Sequence, residues 1–254
     1  MNNKTLHSFF LWFLGCCGFV VFLYFGVFSY DGETIYLWDY APKLFKDTKT
    51  SLYLIVPAIA LTSVFVALIF VGRYLLLQVS WGRNTLLFIA NNLPTVFSSI
   101  PLFITAIIFI RYFHLDTIHS YNFFYGIACL ALFNVGYLYR KLDACLGQQL
   151  QKPYVAYAKS LGISQKDIFY YYVFPGLVPH IFSTLRELLP HIIVESIVIE
   201  YTFSYNALLR SAVQALQYDN WHYLFIFFYV MILWISFFEI VCRTIENKYQ
   251  VKVS

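Results

Sequence analysis

Charge is scarce in this chain. Asp, Glu, Lys and Arg make up 12% of its 254 residues, against 60% hydrophobic ones. A soluble domain carries about twice that share of charge. A soluble fold of this length has no means of hiding so much apolar surface, so lipid must be the solvent for much of it. Cysteine is sparse and scattered: Cys16, Cys17, Cys129, Cys145 and Cys242, with no CxxC pair. That pattern argues against a disulfide framework or a zinc knuckle and for small apolar residues packed between helices. The basic excess is only +4, and no basic patch interleaves with aromatics, which argues against a nucleic-acid partner. No GxxxxGK[ST] phosphate loop and no nucleophile elbow occur. The chain therefore has no pattern for hydrolysing ATP alone, no residue is assigned as catalytic, and no cofactor is expected. Long linkers, low-complexity tracts and short-period repeats are missing too, which points to one membrane domain without an appended soluble one.

What is present is a set of six apolar runs, about Phe9–Phe28, Ser51–Val71, Thr85–Phe113, Tyr121–Leu138, Leu177–Tyr201 and Trp221–Val241. Each approaches the ~20 residues that cross ~30 Å of hydrocarbon. The fold class is all-α, a polytopic membrane protein of about six transmembrane helices. Lys4, an apolar run and Gly15-Cys16 resemble a lipoprotein signal, but the run continues to about Phe28 and reads as an uncleaved first helix. The third run is long enough to tilt, or to begin as an interfacial helix around Asn91, Asn92 and Pro94. Residues 1–50 read as the first helix and an extracytoplasmic loop, and 51–254 as the transmembrane domain proper. With the N-terminus inside, the inside segments hold Lys4, Arg73, Arg83, Arg140, Lys141, Lys152, Lys159, Lys166, Arg243, Lys248 and Lys252; the outside ones hold Lys43, Lys46, Lys49, Arg111 and Arg210. This asymmetry places both termini in the cytoplasm.

Between the fourth and fifth runs lies PYVAYAKSLGISQKDIFYYYVFP, Pro153 to Pro175. Pro153 suits a first helical position. Tyr154, Ala158 and Leu161 fall on one helical face. Gly162 can end that helix in a left-handed conformation. Ser164 and Asp167 have capping-box spacing for a second helix, which carries Ile168, Phe169 and Tyr172 towards the membrane before Pro175-Gly176 breaks the chain. Such an insert suits two roles on physical grounds: an amphipathic loop on anionic lipid, or a helix filling a groove in a partner.

The residues also carry a resemblance. Tyr154-x3-Ala158-x3-Gly162, followed by Ile163-Ser164, resembles the cytoplasmic loop of binding-protein-dependent ABC-transporter permeases, closest to the dipeptide/oligopeptide/nickel branch. Pro179 falls where that branch has a proline opening the fifth span. The stretch from Ile197 through Glu200 and Phe203 to Tyr205 is similar to its VxVExxFxW/Y element, with Leu208 and Asp219 fitting the segment after it. Ile100-Pro101-x-Phe103 resembles its IPxF element. The likeness spans roughly Ser51 to Val253. The chain departs from the family where Glu-Ala-Ala is replaced by Ala156-Tyr157-Ala158, and PGLG by Asn206-Ala207-Leu208-Leu209, the marks of a divergent member.

The resemblance implies a permease subunit of an ABC importer, not an enzyme, in a bacterial cytoplasmic membrane. Tyr154, Ala158, Lys159, Gly162, Ile163 and Ser164 would then couple it to separate ATP-binding subunits. The other implied partners are a second permease subunit, the same chain or a relative, and an extracytoplasmic solute-binding protein. Pro101, Pro179, Glu200 and Phe203 are the family-matched structural positions.

One further pattern comes from periodicity. His180, Thr184, Glu187, His191 and Glu195 recur every three to four residues along the fifth run, flanked by Arg186 and Ser196. Charged groups in a membrane usually face a bundle interior or a wet cavity. Three readings fit: a stripe lining the translocation path or a subunit contact, polar residues paired across helices, and a metal site built on Glu187, His191 and Glu195. The last corresponds to an integral membrane metal-dependent enzyme. A non-catalytic membrane scaffold subunit is the remaining alternative.

Overall fold

A computed structural model describes residue 18 and residues 37–76, 92–113 and 119–250. Eight helices and two shorter pieces can be traced there: α1 (Leu37–Leu76), α2 (Asn92–Ser99), α3 (Leu102–Phe113), α4 (His119–Leu150), α5 (Pro153–Ser160), α6 (Gln165–Ile168), a π-helical turn (Phe169–Val173), α7 (Phe174–Thr202), α8 (Leu208–Gln217) and α9 (Trp221–Gln250), the short pieces being α6 and the π turn. The first expected span, 9–28, lies outside the described residues apart from residue 18.

Among the described residues, three helices are long and apolar enough to cross a membrane: Pro42–Gly72, Phe123–Leu150 and Trp221–Tyr249. A fourth crossing arises if α2 and α3 count as one span bent by 84°. The bend falls at Ile100-Pro101, within the resembled IPxF element, and realises the expectation of a separate leading helix near Asn92 and Pro94. Pro101 has no N–H to offer the preceding turn, while its carbonyl accepts from Ile104 and Thr105 N–H at 3.0 and 3.2 Å and so starts α3. The boundary expected at residue 50 falls inside α1, which runs unbroken from Leu37 to Leu76.

α7 differs from the other long helices. Arg186, Glu187, Glu195 and Glu200 lie along it, and it does not belong to the set apolar enough to cross by composition. It can be this polar because it is central. It packs on α4 and α9, and α4 packs in turn on α1. Leu188, Ile192, Ile199, Leu130, Leu138 and Leu54 are fully buried at these contacts. Two buried hydroxyls are satisfied by their own helix: Thr62 donates to the Ala58 carbonyl at 2.7 Å and Thr184 to the His180 carbonyl at 2.8 Å. Helix backbone thereby absorbs polar groups that lipid would not.

The expected break at Pro175-Gly176 does not occur. The chain instead widens into the π turn, whose last carbonyl bond runs from Phe174 N–H to Phe169 O, and α7 begins at Phe174. Pro175 follows the π turn directly, and its missing N–H leaves one carbonyl of that turn without a helical donor. Pro179 likewise lies inside α7 rather than opening it; its missing N–H costs one bond, to the Pro175 carbonyl one turn before.

Candidate functional site

The insert is built as its sequence dictates in most respects. Pro153 occupies the first turn of α5. Gly162 has φ of +73°, and the helix closes around it: Gly162 N–H bonds to Lys159 O at 3.1 Å and Ile163 N–H to Ala158 O at 3.3 Å. These are the paired bonds of a Schellman closure, which needs a left-handed residue at this point. The Ser164 side chain accepts from Asp167 N–H at 3.2 Å and caps α6.

The buried face differs from the expected one. Leu161 is 59% exposed and Tyr157 66% exposed, whereas Val155 and Ala158 are buried together with Ile168, Val173 and Leu177. Tyr154 and Ile163 are partly buried against this small core, beside Cys145 and Leu146 of α4. Leu161 keeps right-handed helical dihedrals and bonds its N–H to Tyr157 O at 3.2 Å; the seated face is centred on Val155 and Ala158, which leaves Leu161 on the solvent side of the i, i+4, i+7 row. Of the six expected coupling residues, Tyr154, Ala158 and Ile163 seat the insert on the body. Lys159, Gly162 and Ser164 face outwards with Tyr157, Ser160 and Leu161.

A buried amide organises the seat. Gln149, 2% exposed, accepts from the Tyr154 hydroxyl at 2.8 Å and donates to the Gly176 carbonyl at 3.3 Å. Burial raises the Tyr154 hydroxyl above its ordinary pKa and keeps it a donor. Gly176 leaves room for the amide: a Cβ there would stand 2.8 Å from the Gln149 Oε1 and displace it.

The polar stripe of α7 turns towards α4 over part of its length. Glu187 meets Lys141 Nζ at 3.2 Å and the Tyr137 hydroxyl at 3.4 Å. The His191 ring lies 5.0 Å from the Tyr137 ring. Asn134 donates to Glu195. Asn134, Tyr137 and Lys141 thus form a matching row on α4. Thr184 is buried and His180 half-buried, while Glu187 and His191 keep an exposed side. Arg186 does not pair with its neighbour Glu187; it points to α9 and meets Glu246 at 3.5 Å. Among the described residues no group of three or more His, Cys, Asp or Glu is placed to hold a metal ion.

At the opposite end of the bundle from the insert, Glu200 is fully buried, and not the headgroup-level carboxylate that its position near a span end suggests. Its carboxylate accepts from Ser51 Oγ at 2.6 Å and from Leu209 and Arg210 N–H, both at 2.9 Å. Ser51 in turn accepts from Leu208 N–H at 2.9 Å. Every N–H of the first three positions of α8 is thereby satisfied from α1 and α7, with the negative charge at the helix's positive end. Beside this, Asp47 accepts from Ser211 at 2.7 Å and from the Tyr223 hydroxyl at 3.1 Å, joining α8 and α9 to α1. Glu200 stood out in the sequence through its family position, whereas Asp47 and Ser51 did not. Their one signal was an acid and a hydroxyl at i, i+4 just before an apolar run. Phe203 is buried and stacks on Tyr205 at 5.7 Å.

Comparison with known proteins bears on the same region. Residues 69–248 match the family model of the binding-protein-dependent transport system inner membrane component. No curated protein matches the sequence. Among solved structures, the chain is similar to a crystal structure of an amino acid ABC transporter with histidines, with a TM-score of 0.58 and 17% identity over 87% of this chain and 99% of that one. At that identity the likeness speaks for the fold.

Proposed function

The chain belongs to the family of binding-protein-dependent transport system inner membrane components, and from that premise we propose that its Pro153–Phe174 insert is the lever through which separate ATPase subunits drive transport. It is a transmembrane permease subunit of an ABC importer and not itself an enzyme. The observation that carries the lever reading is the two-sided insert. One face, Val155 and Ala158, is packed on the body; the other presents Tyr157, Ser160 and Leu161, all exposed. A surface seated on one side and presenting Tyr157 and Leu161 among polar residues on the other suits a groove in a second protein. ATP-driven closure of the partner would move the insert and rock the bundle between inward-open and outward-open states.

The stripe from His180 through Thr184, Glu187 and His191 to Glu195 lines the solute path or the contact with a second permease subunit. Its exposed acids and imidazole are costly against lipid and inexpensive against water or protein. Both termini lie in the cytoplasm of a bacterial inner membrane, so α8 and the Glu200 network face the extracytoplasmic binding protein. The excess of Lys and Arg in the loops on the insert side supports this orientation. At branch level, the Ile197–Tyr205 stretch and Ile100-Pro101-x-Phe103 support a dipeptide/oligopeptide/nickel-type importer. Uptake competition among dipeptides, nickel chelates and free amino acids divides that branch from the amino acid transport of the similar structure.

The test of the lever uses exposed residues. Tyr157→Glu and Leu161→Glu should each reduce ATPase copurification at least tenfold while membrane insertion and bundle stability stay at wild-type levels. Undiminished copurification in both variants would remove the coupling assignment.

A further inference from the structure

We propose that Gln149 is a two-pronged clamp that makes the insert and the start of α7 move as one body. The proposal rests on the lever reading for its consequence in transport, but its geometry stands apart from it. The insert is joined to α4 by the short link Gln151-Lys152 and to α7 through the π turn. A π turn carries looser backbone hydrogen bonding than α-helix and is a natural place for bending. Pro175 and Pro179 remove two further backbone donors from the same region. By backbone alone, a push on α5 would therefore dissipate in bending before it reached the stripe of α7.

Gln149 bypasses that soft segment. It stands at the end of α4, buried, and each half of its amide holds a different element: Oε1 the Tyr154 hydroxyl of α5, Nε2 the Gly176 carbonyl of α7. Tyr154 and Gly176 lie on either side of the π turn in sequence and meet on one side chain in space. The glycine is part of the device, since any Cβ at position 176 would collide with the amide. An amide carries its acceptor and its donor on separate atoms of one uncharged side chain, so it can hold two elements at once. Gln149 is thus a positioning residue: it touches neither solute path nor partner, and acts by fixing the angle between lever and helix.

The experiment is double electron–electron resonance on the full chain in nanodiscs with its copurified ATPase subunits. Spin labels are placed by Ala144→Cys (α4), Ala156→Cys (α5) and Tyr201→Cys (far end of α7), all exposed. In the otherwise wild-type chain, the 156–201 distance should be narrow and unchanged between the nucleotide-free and ATP–vanadate states. Gln149→Leu should broaden it at least twofold. Tyr154→Phe, which removes one hydroxyl and leaves the fold intact, should broaden it by a smaller amount. Gln149→Glu keeps the acceptor and loses the donor. It should leave the 144–156 distance narrow and broaden 156–201, a split that general loosening of the fold would not produce. Unchanged 156–201 widths in Gln149→Leu and Tyr154→Phe overturn the clamp, as does equal broadening of both distances in Gln149→Glu. Failure of the ATPase to copurify with the unsubstituted chain instead overturns the lever reading, and the distance widths still decide the clamp.

Discussion

The two ends of this bundle are held by different kinds of interaction. At the α8 end, the hydrogen bonds link residues far apart in sequence: Ser51 to Glu200, Ser51 to Leu208, Asp47 to Ser211 and Asp47 to Tyr223. Three helices and a helix N-terminus share one buried polar cluster. At the insert end most links are short-range: the Schellman closure at Gly162, the Ser164 cap, and Tyr154 to Gln149, with Gln149 to Gly176 as a longer tie. The first end is locked, because releasing any helix leaves buried charge and donors unpaired. The second is a local fold seated on a small apolar core and tied through Gln149 to the ends of α4 and α7, so it moves together with those ends. A permease driven from one side needs that asymmetry: a part that yields to a partner and a part that keeps the helices in register.

The largest effect should come from breaking the locked end. Glu200→Leu strands the Ser51 hydroxyl and two α8 N–H groups and should cost about 3–5 kcal/mol, read by reversible unfolding in mixed micelles. A loss below about 1 kcal/mol would mean that the cluster holds nothing. Ala158→Glu puts a charge on the buried face of the insert. It should abolish hydrogen-exchange protection over residues 153–174 and leave protection of α8 unchanged; loss of protection at both ends would erase the contrast between them. Gly162→Ala meets no neighbouring atom, so its cost is the left-handed backbone alone, about 1 kcal/mol, visible as faster exchange confined to α5. The smallest effect is a gain. Ser204 closes α7 with φ of +58°, with Tyr205 N–H bonded to Glu200 O at 2.9 Å. Ser204→Gly should therefore raise stability by about 0.5–1 kcal/mol, measured in the same micelle unfolding series.

The chain's own chemistry made the insert end legible. Pro153, Gly162 and the Ser164/Asp167 pair act on neighbours within a few residues, so their spacing alone foretold a helix, a left-handed turn and a capped second helix. The row through Tyr154 puts Leu161 on the buried face, whereas the seated face is centred one position on, at Val155 and Ala158. At Pro175-Gly176 the spacing suggests a break, but the helix continues because the π turn before it widens the backbone where a residue without an N–H follows.

By itself, then, the sequence determined the solvent, the helical class and the local shape of the insert, since each follows from composition or from contacts within a helical turn. Only the tertiary structure decided that Glu200 caps α8 rather than meeting headgroups, that Glu187 pairs with Lys141 and Arg186 with Glu246, and that Gln149 spans the π turn. Those pairings join helices through space, and spacing along one chain carries no information about which faces of different helices meet.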